Sequence, residues 1–249
     1  MSLDAIAACV QAVETVAGEH VCIHRIDLDL LAQRADCTAR EERDAWRASR
    51  FRFERDRRRY LASRLALRHL LAAALGADLA ALRLAEDGNG KPCLVDEPDR
   101  CHFNLSHSGG LALIALSRAA PVGVDLELAG TMDADEDLVA ACLCPAERCQ
   151  WDAIAPAARQ RAFLDLWTRK EAALKAVGLG LSVSPAELDV GFEAQPVDLR
   201  IGEQSVRVWP VETEGASASV ALVQPDSDAA QAAPRRECST GASPAKTIR

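Results

Sequence analysis

Aromatic side chains supply only 4% of this 249-residue chain, with a single Tyr, and 47 alanines account for much of its 49% hydrophobic content. Such a composition predicts helix-rich, thinly packed cores rather than one built on large rings. No apolar run approaches the ~20 residues that a membrane-spanning helix needs. The N-terminal MSLDAIAACVQAVET lacks the basic start of a secretory leader, so the expectation is a cytoplasmic protein that meets no membrane. Excess positive charge is also missing. The formal net charge is −8, which argues against a nucleic-acid partner. No C-x-x-C pair occurs among the nine cysteines, and the tightest group, Cys142, Cys144 and Cys149 in CLCPAERC, has no fourth ligand and no nearby His. Reduced thiols packed as small hydrophobes are therefore expected in place of disulfides or zinc. Lysine is the last scarcity. Only Lys91, Lys170, Lys175 and Lys246 stand among 29 cations, the rest being Arg.

At about 150 residues per domain, the length allows one large domain or two small ones. Residues 21–30 (VCIHRIDLDL) alternate as a strand does. Residues 40–68 read as one basic helix, with 11 Arg against five acids, continuing to a stop at Gly76. LRLAEDGNGKPCLV reads as a hairpin turning at Asp87-Gly88-Asn89-Gly90. HFNLSHS, the apolar run GLALIALS and APVGVDLEL read as strands. Helices are expected near 133–143 and 145–155, the second opened by Pro145, and a longer one from about Arg159 to Val177, closed by Gly178. Short strands follow near LDVGF, VDLRI, SVRVWP and SASVALV. Each half is thus a long helix with strands. The fold class expected is α+β, with two similar lobes related by a pseudo-twofold, each a long helix on a small, mostly antiparallel sheet. The divisions are 1–119, 120–224, and a disordered Ala/Ser/Pro-rich tail over 225–249.

Three groups of residues could carry chemistry. In GVDLE, a strand directs Asp125 and Glu127 to one side and Val124, Leu126 and Leu128 to the other. Two neighbouring carboxylates are either a solvated polar face or oxygen ligands for Mg²⁺. In WTRKEAALKAV, helical spacing puts Trp167, Glu171 and Lys175 on one stripe with Lys170 beside it. That stripe is either a surface ion pair or a face offered to a phosphate with its metal. The third group is the basic segment together with Lys91 and the pair Ser106-His107. Its concentrated positive charge, inside an acidic chain, points to a polyanionic ligand, although a single His is commonly only a hydrogen-bonded structural residue. Together the cationic half and the carboxylate half describe a multiply phosphorylated ligand bridging the lobes with Mg²⁺ on its phosphates.

In that order and spacing, F-N-L-S-H-S, G-V-D-L-E and W-T-x-K-E-A-x-x-K resemble the 4′-phosphopantetheinyl transferases, in particular the monomeric, two-lobed type that serves peptide, polyketide and siderophore synthesis. G-K-P at 90–92 and D-x-x-R-Y-L-x-S-x-x-x-L-R at 56–68 extend the likeness, which covers about residues 20–224. The resemblance implies that coenzyme A lies between the lobes and that a serine of an apo acyl or peptidyl carrier protein attacks its pyrophosphate. Phosphopantetheine moves to the serine and 3′,5′-ADP leaves. It implies Mg²⁺, with Mn²⁺ as a substitute, on Asp125, Glu127 and Glu171, and pyrophosphate contact by Lys175 with Lys170 close by. Lys91, Ser106 and His107 map to the 3′-phosphoadenosine grip, joined by Arg47 and Arg59 and, on a looser match, Arg43. Glu171 is either a ligand or the base that takes the serine proton, and Lys175 neutralises the charge that builds on the pyrophosphate. A non-catalytic coenzyme A or carrier-protein binding protein is the rival reading, with a Mg²⁺-dependent nuclease or phosphatase a second.

Overall fold

The strand LALIALS is buried along its whole length because it is covered on both faces. Ala112, Ile114 and Leu116 belong to one apolar core while Leu111, Leu113 and Ala115 belong to another. The computed structural model describes residues 6, 8–13, 21–88 and 91–225. Within them the first lobe contains β1 (Val10–Val13), β2 (Val21–Asp27), α1 (Leu28–Arg34), α2 (Glu42–Ser49), α3 (Glu54–Leu75), β3 (Leu84–Glu86), β4 (Pro92–Leu94), β5 (His102–Ser108) and β6 (Leu111–Ser117). The second contains β7 (Val122–Leu128), α4 (Glu136–Cys142), α5 (Pro145–Trp151), α6 (Pro156–Val177), β8 (Val197–Ile201), β9 (Gln204–Pro210) and β10 (Ala216–Gln224).

The two main sheets are antiparallel and four-stranded, in the orders β1-β2-β6-β5 and β7-β10-β9-β8, and β3-β4 is a separate hairpin. The correspondence is internal. In each lobe the strand preceding the helices pairs with the last strand, and the last strand pairs with the one before it. The long helices match too: α3 and α6 are both 22 residues long and end on a left-handed glycine, Gly76 (φ 61°) and Gly178 (φ 74°). This is an α+β fold of two similar lobes.

Among the described residues, three apolar cores hold it. One joins α3 (Ala62, Leu65, Ala66, Leu71) to the first sheet. A second joins α6 (Phe163, Leu164, Ala172, Ala173) to the second sheet through Ala221 and Val223. The third lies between the sheets, where Val122, Val124 and Leu126 of β7 and Val220 of β10 meet Ile23 and Leu113. Each fully buried aliphatic side chain contributes about 1.5–3 kcal/mol to such cores. No disulfide forms among the described cysteines, and Cys9, Cys101, Cys142 and Cys144 are buried as small packing groups.

Four local expectations change. The basic segment is two helices, because residues 50–53 break it, and the break folds α2 back on α3. Buried Asp44, 2% exposed, then accepts from Tyr60 (2.9 Å) and Arg64 (3.2 Å). Strand β2 stops at Asp27, whose carboxylate accepts from the Leu30 amide at 2.9 Å and so starts α1 where a strand was expected to continue. LDVGF is an irregular segment. Its backbone is satisfied by side chains: the Val190 amide donates to Glu147, the Leu188 carbonyl accepts from Lys170, and Arg169 donates to Val190 and Gly191. The helix expected from Arg159 begins at Pro156. The turn residues 89–90 and all but the first residue of the expected tail lie outside the described residues.

Candidate active site between the lobes

Strands β5 and β7 run side by side without a backbone ladder, and β5 side chains make the join. Asn104 Oδ1 accepts from the Val124 amide at 3.0 Å, Ser106 Oγ donates to Asp125 at 2.8 Å, and Ser108 Oγ donates to Glu127 at 2.9 Å while accepting from the Leu128 amide at 3.2 Å. The polar residues of FNLSHS are thus spaced two apart to reach GVDLE across the seam. On its other side β7 carries α6 at very short range, through Gly123. A Cβ there would lie 2.1 Å from the Ala172 carbonyl oxygen and 2.4 Å from the Ala176 nitrogen. Only a residue without a side chain lets the helix come this close.

That approach brings Lys175 Nζ to 2.5 Å from Asp125 Oδ1 and 3.4 Å from Ser106 Oγ. Asp125 is 3% exposed, and its second oxygen, Oδ2, is buried with no hydrogen-bond partner. A carboxylate oxygen left so is costly unless a cation meets it. Glu171 lies on the same helix face one turn before Lys175. Burial raises its carboxyl pKa; Lys175 opposes this, and Asp125 and Glu127 push it further up. Glu171 therefore senses the charge of both strand carboxylates. Their donor set, hard oxygens with one orphaned oxygen, fits a Mg²⁺-type ion. The tightest convergence of potential ligands among the described residues is elsewhere, at Cys144, Glu147 and Asp189, within 4.8 Å. There Glu147 is already neutralised by Lys170.

These groups line a cleft of about 430 Å³ together with Arg47, Tyr60, Arg64, Phe103, His107, Met132 and Trp167, a size suited to a cofactor-sized ligand. The first lobe supplies its cationic wall. Arg64 pairs with Asp44 at 3.1 Å yet leaves one terminal guanidinium nitrogen buried and unpartnered. Arg47 sits 2.8 Å from Glu86. The Tyr60 phenol is pushed up to about 12, first by burial and then by its hydrogen bond to Asp44, so it stays a neutral donor. His107 projects into the open cleft. Its side chain is exposed, yet desolvation by the surrounding cleft, and then the charge of Lys175, lowers its pKa.

Of the residues singled out from the sequence, Arg47, Ser106, His107, Asp125, Glu127, Glu171 and Lys175 share this cleft. Four do not line it. Lys170 turns to the opposite side of α6, fully buried, 2.5 Å from Glu147 and donating to the carbonyls of Cys142, Pro185 and Leu188. Residues one and five places apart on a helix cannot share a face as those three or four apart do. Arg59 pairs with Asp29 at 2.6 Å, and Arg43 with Glu86 at 3.5 Å. Lys91 points behind the cleft into the last turn of α6. Much of the basic segment's charge is consumed in this way by acids of its own lobe. Sequence reasoning missed Arg64, Asn104 and Gly123. The first sits in an Arg-rich run without distinguishing spacing. The other two stand inside motifs already noted, each two places from a residue that drew notice.

Comparison with known proteins gives concordant matches. A family model described as 4′-phosphopantetheinyl transferase, N-terminal, matches residues 29–119, and one described as the 4′-phosphopantetheinyl transferase superfamily matches residues 121–223. The 4′-phosphopantetheinyl transferase HetI of Nostoc sp. is 35% identical over 172 residues, 68% of this chain and 73% of that protein. The 4′-phosphopantetheinyl transferase psf-1 of Bacillus pumilus is 38% identical over 136 residues, 54% of this chain and 56% of that protein. A Synechocystis sp. protein provisionally named as a 4′-phosphopantetheinyl transferase is 39% identical over 137 residues, 55% of this chain. The matched stretch spans 56% of that Synechocystis protein, little more than half its length.

Proposed function

The chain belongs to the 4′-phosphopantetheinyl transferase superfamily, and from that premise we propose that it moves the phosphopantetheine arm of coenzyme A onto a serine of an apo acyl or peptidyl carrier protein. One observation carries the proposal. A single interlobe cleft gathers Ser106 and His107 from β5, Asp125 and Glu127 from β7, and Glu171 and Lys175 from α6. The serine oxygen forms a bond to the β-phosphorus of coenzyme A, the pyrophosphate bridge to the nucleotide breaks, and 3′,5′-ADP leaves with the electron pair.

The residues have separate duties in this reading. Asp125 and Glu127 would hold Mg²⁺, with Glu171 beside them in the cleft, and the ion's charge would neutralise pyrophosphate oxygens. Lys175 gives up its bond to Asp125 when the pyrophosphate arrives and donates to it instead, where charge develops as the bridge breaks. His107, Ser106, Arg47 and Arg64 receive the nucleotide phosphates from the first lobe. Glu171 accepts the serine proton. It lies beside Lys175 in the same cleft, and burial is the first cause that raises its carboxyl pKa. The lobes 1–119 and 120–224 act together as a monomer in the cytoplasm, with peptide or polyketide carrier domains as substrates.

Intact mass spectrometry of an apo carrier protein, incubated with the protein, coenzyme A and Mg²⁺, tests the assignment. The expected result is a gain of one phosphopantetheine arm, abolished by EDTA. Coenzyme A binding without transfer to any of several carriers would favour the non-catalytic rival.

A further inference from the structure

Lys91 is placed where no phosphate contact requires it. Its ammonium donates to the carbonyl oxygens of Val122 at 3.1 Å, Lys175 at 2.6 Å and Ala176 at 3.2 Å. An ammonium has three donors, and three acceptors occupy them. Two of those acceptors are last-turn carbonyls of α6, groups that a helix end leaves unpaired and that carry its negative pole. The third is the first residue of β7. The side chain reaches them from the first lobe, its Cδ 3.8 Å from where a Cβ on Gly178 would stand. Its own backbone is fixed, since the Lys91 amide donates to Asp87 Oδ1 and the Asp87 amide donates to the Lys91 carbonyl, both at 2.9 Å. The ammonium is thus presented from an anchored backbone. Lys91 is absent from the residues that line the main cleft and faces a smaller cavity of about 240 Å³ behind it.

We propose that Lys91 is a positioning residue. It ties the last turn of α6 to the start of β7 and thereby fixes Lys175 against Asp125, in place of the nucleotide contact that the G-K-P resemblance implies. One of its acceptors is the carbonyl of Lys175 itself, so the bond acts on the very residue whose Nζ reaches into the cleft. Burial lowers the ammonium pKa to about 8, with Asp87 opposing, as expected for a cation enclosed by carbonyl groups instead of water.

The kinetic consequence rests on the transferase reading, whereas the structural one does not, and the test separates them. In Lys91→Met, amides of residues 174–178 should exchange with solvent about tenfold faster or more than in the unaltered chain, with the rest of the second lobe unchanged. Lys91→Arg, which keeps the donors, should recover part of that protection. For transfer, kcat should fall about tenfold or more while the KM for coenzyme A stays within about twofold, because placement and not binding is lost. The preference for coenzyme A over 3′-dephospho-coenzyme A should be the same in Lys91→Met as in the unaltered protein. Unchanged exchange at 174–178 overturns the proposal, and so does a raised KM with that preference lost, which would make Lys91 a phosphate ligand. If the unaltered protein transfers nothing, the transferase reading fails and the exchange result alone decides the tie. If Lys91→Met does not fold, Lys91→Gln, whose amide keeps two N–H donors but no charge, carries the same measurements.

Discussion

Lys170 and Lys175, five residues apart on α6, show how position decides what a lysine can do. Lys170 is enclosed by one carboxylate and three carbonyls, leaving nothing for a ligand, whereas Lys175 reaches an acid in the cleft. Lys170→Ala would strand Glu147 as an unpaired buried charge and should cost about 3–5 kcal/mol in urea denaturation. Replacing both partners, Lys170→Met with Glu147→Leu, should recover only part of that loss, because the Cys144 and Val190 amides and the Cys142, Pro185 and Leu188 carbonyls lose their partners, and the KM for coenzyme A should be unchanged. Asp125→Asn should behave in the opposite sense. It should retain the native circular dichroism and lower transfer by about a hundredfold or more, since it removes the anion that the orphaned Oδ2 implies for a metal. Near-normal transfer by a folded Asp125→Asn protein would remove the metal assignment.

Among the elements, the contact of β7 with α6 governs the site. Gly123 sets the separation, and the 2.1 Å between a Cβ added there and the Ala172 oxygen cannot be relieved by rotating a side chain. Gly123→Ala should therefore cost about 1–3 kcal/mol and depress turnover besides, because α6 must shift away and take Glu171 and Lys175 with it. Gly88→Ala is the matching control. No atom of the described residues stands within 4 Å of a Cβ added there, so melting temperature and rate should both stay near those of the unaltered protein. Equal effects of the two substitutions would show that the close approach is unimportant. The polar alternation of FNLSHS was legible in the sequence, but its purpose was not. A strand whose Asn and Ser side chains bond a neighbouring strand across a lobe boundary has the same pattern as one facing water.

For the whole molecule, the pH dependence of stability follows from its histidines. Burial is the first cause holding His24, His69, His102 and His107 below their ordinary pKa. The unfolded chain therefore binds protons more readily than the folded one, from about pH 6.5 downward. Stability present at pH 7 and above should be lost as the pH falls through that window. Glu171 works against this, since a raised carboxyl pKa means the folded state takes up its proton first. Four groups against one predict a melting temperature that declines from about pH 7.5 to about pH 5.5. His69→Gln should flatten the decline, and an unchanged slope would assign it to other groups. The −8 net charge hides a basic segment that the local count of Arg reveals, and the fold spends much of that segment's charge internally, since Arg43, Arg47, Arg59, Arg64 and Arg68 each pair with an acid of their own lobe.

Periodicity and end signals in the sequence were enough to place a long helix in each half, its glycine stop and most strands, though not the break at 50–53 or the start at Pro156, since a helix stop depends on neighbours three or four residues away. The motifs likewise marked the acids and Lys175, because two-residue and four-residue spacings put side chains on one face whatever the fold. Tertiary structure alone decided which lysine enters the cleft, that Arg59 is spent on Asp29, that residues 188–192 are not a strand, and that Lys91 serves a helix end. Each of those depends on partners 15 to 85 positions away along the chain, and no local spacing records such a distance.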